Sequence, residues 1–113
     1  GHLVIAAGRE ADLLAPGAPA RLVDAAAPDA VLHLAWEARP GVYWSSPDNP
    51  RWTAATEALA RAAARAGARR FVGLGSCAEY DWTRADCDDG APDGTPATPY
   101  GRAKQAAGRA VCA

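Results

Sequence analysis

Tyr100 and Lys104 lie four residues apart near the end of the chain, and Lys104 is the only lysine among the 113 residues. The surrounding segment predicts a helix with Thr98 as its N-cap and Pro99 as its first residue. On such a helix the two side chains share one face, one turn apart. An ammonium held near a phenol stabilises the phenolate, so this tyrosine could act as a general acid or base. The same spacing also arises by chance between solvent-exposed neighbours.

Ser76 is a third candidate for the same chemistry. The sequence RFVGLGSCAEY places it just after a predicted strand, where open α/β sheets bind ligands. Its hydroxyl could hydrogen-bond the substrate oxygen that the tyrosine protonates. A serine that only caps the turn after the strand explains its position equally well.

The elements that position these side chains alternate along the chain. Apolar runs at 3–7, 30–35 and 70–75 lack polar alternation and predict buried parallel strands. Alanine-rich helices are predicted at 19–27 and 50–67, the second ending at a glycine, and the third begins at Thr98. This order predicts an α/β fold, a partial doubly wound, Rossmann-like parallel sheet with flanking helices. Two turn-rich loops, 36–49 and 79–97, follow the carboxyl ends of strands.

Composition excludes several classes of function. The net charge of −1, with both signs interspersed, favours neither nucleic acid nor a membrane surface as a partner. No apolar run reaches the length of a membrane span, and the first ten residues do not resemble a secretion signal. Cys77, Cys87 and Cys112 lack the spacing of metal ligands or of a disulfide framework, so no metal is expected and reduced thiols in a cytoplasmic protein are predicted. His33 is predicted to point into the core and His2 to lie in a turn.

Aromatic residues cluster in the two loops, near the predicted ligand edge: Trp36, Tyr43, Trp44 and Trp52 in and after the first loop, Tyr80 and Trp82 in the second. Their faces could stack on a sugar ring or a nucleotide base. Packing that holds the long loops down is the alternative.

Three motifs in order, DAVLHLA, RFVGLGSCAEY and PATPYGRAK, closely resemble the extended short-chain dehydrogenase/reductases, the NAD-dependent epimerase/dehydratase family. The resemblance implies an enzyme that transfers hydride between NAD(P) and a nucleotide-activated sugar, ending in epimerisation or reduction. It implies a catalytic set of Ser76, Tyr100 and Lys104. The residues it places at the cofactor are Arg9, Asp12, Leu13, Leu34, Ala35, Tyr100 and Lys104. Arg9 favours NADP over NAD, because an arginine can pair with the 2′-phosphate.

The chain departs from the family pattern in three ways. A glycine-rich phosphate loop would precede residue 1 and a substrate domain would follow Ala113, so we expect a partial NAD(P)-binding domain from the middle of a subunit. Dehydrating members carry an acidic pair after the catalytic hydroxyl, and Glu79 comes one position too late for it. Trp52 stands where an asparagine usually precedes Thr56, with Asn49 nearby as a doubtful substitute.

Three interpretations follow from the sequence. The first is an epimerase or reductase, active in its parent protein and compatible with a homodimer, whose isolated residues 1–113 are inactive and bind dinucleotide poorly. The second is a non-catalytic nucleotide-binding or regulatory module that kept the fold. The third is a truncated product with no activity of its own.

Overall fold

In a computed structural model, which describes residues 1–84 and 94–113, the chain forms a small α/β fold. Its elements in chain order are α1 (Ala18–Ala26), β1 (Ala30–His33), α2 (Asn49–Arg65), β2 (Arg70–Gly73), a short 3-10 turn (Cys77–Glu79) and α3 (Pro99–Cys112). The predicted partial Rossmann-like architecture is confirmed. Among the described residues, no helix is long and apolar enough to cross a membrane.

β1 and β2 pair in parallel, with Ala30 opposite Arg70 and His33 opposite Gly73. One further backbone bond, from Leu74 N–H to the carbonyl of His33 at 3.1 Å, extends the pairing past the last paired residues. Both strands are two residues shorter than predicted, because the chain then leaves the sheet for the loops that carry the candidate site.

The predicted strand at 3–7 does not form, which corrects the sequence interpretation. These residues carry no strand in the described part of the chain, and Leu3, Val4 and Ile5 are exposed. A strand is stable only when a neighbouring strand satisfies its N–H and C=O groups. No described strand lies beside this segment. Its apolar sequence alone is therefore not enough to form a strand.

The helices cover one face of the sheet. α2 lies between α1 and α3, and the core centres on Val23 and Leu59, with Val31 and Phe71 of the sheet packed against it. The opposite face carries Leu32, exposed by 66%, and Val72, exposed by 47%. The expectation of strands buried on both faces is therefore wrong for this face of the described sheet.

Helix ends follow local sequence signals. α2 stops because Gly67 adopts a left-handed conformation (φ 84°), and Ala68 N–H returns to the carbonyl of Ala63 at 3.0 Å. α3 begins as predicted: the Thr98 hydroxyl accepts from Gly101 N–H at 3.0 Å, and Pro99 is the first helical residue. The cap of α3 fixes the first residue of that helix. It therefore also fixes the direction in which the side chains of Tyr100 and Lys104 leave the helix.

Candidate active site

Gly101 allows α3 to approach the 3-10 turn closely. A Cβ at this position would lie 2.1 Å from the carbonyl oxygen of Ala78, a distance that no side chain tolerates. Gln105, one turn further along, donates to the carbonyl of Glu79 at 3.2 Å. The missing side chain therefore brings the first turn of α3, which carries Tyr100, against the turn that Ser76 begins.

Ser76 caps the 3-10 turn. Its hydroxyl accepts from Ala78 N–H at 3.2 Å, and the carboxylate of Glu79 accepts from Ser76 N–H at 2.7 Å. This reciprocal capping box fixes the backbone of both residues. The capping role is confirmed, and the hydroxyl can still donate its own proton elsewhere. The Oε1 atom of the Glu79 carboxylate is therefore engaged by the backbone of this turn.

Lys104 lies inside the molecule and is only 9% exposed. Its ammonium donates to the carbonyl of Leu74 just past β2 and lies 4.5 Å from the centroid of the Trp36 ring. Burial lowers the pKa of Lys104, and the nearby carboxylate of Glu79 opposes this by attraction. A lone lysine here thus places a positive charge at the carboxyl end of the sheet, one helical turn from Tyr100.

Tyr100 is half-buried and meets three aromatic rings. Its ring is edge-on to Tyr43 at 4.8 Å, to Trp44 at 5.7 Å and to Trp36 at 6.2 Å between centroids. Its backbone N–H donates to the carbonyl of Trp44 at 3.2 Å, so the first long loop is tied to the start of α3. Tyr100 and Lys104 therefore lie one turn apart on a face of α3 that the loop 36–49 covers.

Asn49 anchors that loop. It is the first residue of α2, is completely buried, and accepts from the Trp36 indole N–H at 3.0 Å. Its amide donates to the carbonyl of Tyr43 at 2.8 Å. This gives the residue a role that the sequence did not reveal, since nothing in its spacing pointed to Trp36.

The aromatic residues divide between the two predicted roles. Trp36 and Trp52 stack on each other at 6.0 Å and are half-buried, which confirms packing for this pair. Trp44 and Trp82 remain exposed, by 43% and 69%, and Trp82 donates to the carbonyl of Cys77 at 3.1 Å. Tyr80 is half-buried at the end of the 3-10 turn. Among the four indoles, those of Trp44 and Trp82 are therefore the more accessible to a ligand.

The residues predicted at the cofactor fall into two groups. Leu34 and Ala35 are exposed just past β1, beside the site of Lys104 and Leu74. Asp12 and Leu13 line an open hollow of about 380 Å³ between residues 10–15 and the start of α1, in which Leu13 also joins the core. Arg9 is exposed on the segment before this hollow. The described residues therefore bring Leu34 and Ala35 to the candidate catalytic residues, whereas Asp12 and Leu13 line a separate hollow.

Glu10 is a neighbour of Arg9 that the sequence interpretation did not single out. Its exposed carboxylate accepts from Gly8 N–H at 2.7 Å, and this bond holds the pKa of the carboxyl below its ordinary value. An acidic residue therefore directly follows Arg9 in the sequence, and its carboxylate is held by the backbone of Gly8.

Cys77 and Cys112 are exposed free thiols. Cys87 and the middle of the second loop, residues 85–93, lie outside the described residues.

His33 points into the core, as predicted. Its Nε2 lies 2.9 Å from the hydroxyl of Thr56 on α2, and the ring packs near Phe71. Burial lowers the pKa of His33 below its ordinary value of 6.5, and the charge of Lys104 lowers it further. Burial and the charge of Lys104 therefore both favour the neutral form of this histidine in the folded chain.

A pH dependence of stability follows from this burial. The unfolded chain keeps the ordinary pKa and takes up a proton at higher pH than the folded chain does. The free energy of unfolding should therefore be unaffected by this group above about pH 6.5 and decrease as the pH is lowered from there through the folded-state pKa. Denaturant titrations between pH 4.5 and 8, roughly the interval in which histidines titrate, measure it.

His33→Gln should flatten that part of the profile, and His2→Gln, at an exposed position, serves as the matched control. A profile that changes with His2 and not with His33 would contradict the assignment.

The chain matches a model of a known protein family. The description of that family is NAD dependent epimerase/dehydratase family, and the match covers residues 2–113. Neither curated proteins nor solved structures gave a significant match.

Proposed function

The chain belongs to the NAD dependent epimerase/dehydratase family, and on that premise we propose that it carries the catalytic residues of an NAD(P)-dependent epimerase or reductase acting on a nucleotide-activated sugar. The observation that carries the proposal is the placement of Lys104. Its buried ammonium lies at the carboxyl end of β2, one turn from Tyr100 and beside the turn of Ser76. An ammonium in this position can assist proton exchange between Tyr100 and a sugar hydroxyl. It contributes little to the stability of the fold, because burial of a charge is unfavourable.

Each of the three residues has a distinct role in this proposal. Tyr100 takes the proton from the substrate hydroxyl during oxidation and returns it during reduction. Ser76 hydrogen-bonds the same substrate oxygen and positions it. Lys104 stabilises the phenolate by its charge and offers its remaining N–H bonds to the ribose of the cofactor. A bound nicotinamide supplies the acceptor and donor of the hydride.

The residues present fit the nicotinamide half of the cofactor. Lys104 has three N–H donors, of which Leu74 takes one, and the exposed backbone after β1 lies alongside. Asp12 and Leu13 would meet the adenine from the hollow at α1. The described residues contain no glycine-rich turn leading into a helix, the usual site for the pyrophosphate. We therefore propose that the parent enzyme supplies it, and that residues 1–113 alone bind dinucleotide poorly and do not turn over substrate.

The test is turnover by the parent enzyme proposed to contain this chain. Nucleotide-activated sugars are incubated with NAD and with NADP, and the products are separated by chromatography while nicotinamide absorbance is followed. A conversion that requires dinucleotide supports the proposal. Dinucleotide binding without conversion of any activated sugar would favour the interpretation as a non-catalytic module. The isolated residues 1–113 are assayed in the same way for comparison with the parent enzyme.

Preference for NADP over NAD is a further expected outcome. Arg9 can pair with the 2′-phosphate, whereas the Glu10 carboxylate beside it would repel that phosphate. Arg9→Ala should weaken NADP binding and leave NAD binding nearly unchanged, and Glu10→Ala should widen the preference for NADP. Calorimetric titration of the parent enzyme with each dinucleotide measures both. Arg65→Ala, at an exposed position on α2, is the control, and tighter binding of NAD than of NADP by the unmodified enzyme would contradict the prediction.

A further inference from the structure

Trp36 is the side chain that covers the ammonium of Lys104. The distance from Nζ to the centroid of the indole is 4.5 Å, within the range in which a cation is attracted to the negative face of an aromatic ring. The attraction is greatest when water is excluded, and Lys104 is 9% exposed. The ammonium is therefore held from one side by the indole and from another by the carbonyl of Leu74.

The indole itself has little freedom. Its N–H donates to the side chain of Asn49, which is completely buried and fixed by the carbonyl of Tyr43. Its ring stacks on Trp52, with centroids 6.0 Å apart and planes 26° apart. Rotation of Trp36 would break the hydrogen bond and the stack together, so the face that meets Lys104 is set by α2.

The same indole also meets Tyr100, edge to face at 81° with centroids 6.2 Å apart. One ring thus contacts Tyr100, which is proposed to exchange the proton, and Lys104, which is proposed to stabilise the phenolate. We propose that Trp36 is a positioning residue: its face fixes Lys104 at the carboxyl end of β2 and its contact with Tyr100 fixes the separation of the two side chains. The inference rests on the function proposed above for Tyr100 and Lys104.

Because Lys104 is the only lysine, its side chain can be observed alone. Lysine labelled with ¹³C at Cε gives one methylene signal in the 113-residue chain. Protons over an indole face are shielded, so the signal should lie upfield of that of free lysine. Trp36→Leu should return it to the free position, and Trp36→Phe, which keeps an aromatic face, should retain part of the shift.

Trp82→Phe is the matched control, since it also removes one indole but from an exposed site that contacts Cys77. It should leave the Lys104 signal where it is. An unshifted signal in the unmodified chain, or an unchanged shift in Trp36→Leu, would overturn the proposal. A thermal melt identifies any variant that is unfolded. If Trp36→Leu is unfolded, the test is whether Trp36→Phe retains only part of the shift of the Lys104 signal.

A purely structural role would not affect kinetics selectively. In the parent enzyme we expect Trp36→Leu to lower kcat by about 10- to 100-fold, the order of effect for a misplaced catalytic group. The KM for dinucleotide should rise by a smaller factor, because Lys104 is also proposed to hold the ribose of the cofactor. Trp36→Phe should recover much of the loss. If the ring shift disappears in Trp36→Leu and kcat does not fall, the positioning role is wrong. Lack of any dinucleotide-dependent turnover in the unmodified enzyme would instead contradict the proposed function, and the shift of the Lys104 signal is measured independently of it.

Discussion

Replacement of Tyr100 by phenylalanine is expected to remove most of the turnover of the parent enzyme, by roughly 10²–10⁴-fold, the usual contribution of a general acid or base. Phenylalanine keeps the ring, which packs edge-on against Tyr43, Trp44 and Trp36, so the fold of the site should persist. The affinity for dinucleotide should stay nearly unchanged, because the Tyr100 hydroxyl is proposed to exchange a proton with the substrate. Steady-state kinetics beside a calorimetric titration measure the two effects separately.

Tyr80→Phe removes the same hydroxyl from another half-buried tyrosine and is expected to have a much smaller effect on kcat. A decrease of less than about fivefold for Tyr100→Phe, well below the usual range for such a group, would contradict its catalytic role. That result would favour the interpretation of the chain as a nucleotide-binding module.

The second large effect is expected on stability. Gly101→Ala places a methyl group 2.1 Å from the carbonyl oxygen of Ala78 and 3.0 Å from the side chain of Pro96. The neighbour is backbone, so α3 must move away from the 3-10 turn. We expect a loss of about 1–3 kcal/mol in the free energy of unfolding, as in other overpacked sites. The shift should also separate Tyr100 from Ser76 and lower turnover.

Gly108→Ala is the matched control in the same helix. A methyl group there meets nothing closer than 3.7 Å, so the better helix propensity of alanine should stabilise the chain by roughly 0.5–1 kcal/mol. Denaturant titrations compare the two variants. Equal effects of the two substitutions would show that the close approach at Gly101 does not constrain the fold.

The parts of the fold that the sequence predicted well depend on local signals. Thr98 and Pro99 define the start of α3, and Gly67 defines the end of α2, through contacts within a few residues. The strand at 3–7 could not be judged in this way, because a strand depends on a partner distant in the sequence. The hydrophobic pattern indicates that a segment can form a strand. It does not identify the strand with which that segment pairs.

The candidate site also has parts that the sequence predicted and parts that it did not. The spacing of Tyr100 and Lys104 indicated one helix face, and both side chains do meet the indole of Trp36. The contact of Trp36 with Lys104 spans 68 positions, and its anchor on Asn49 has no sequence signature. Such contacts follow from tertiary packing, so only the structure reveals them.

The uncovered face of the sheet has a consequence for how the chain behaves in solution. Leu32 and Val72, with Leu34 and Leu74 just beyond the strands, form an apolar surface on the two-stranded sheet of the described residues. Surfaces of this kind bind hydrophobic dyes and are recognised by chaperones that retain incompletely folded chains. Dye fluorescence therefore measures directly whether this face stays exposed in solution, and the signal should be high for residues 1–113 alone.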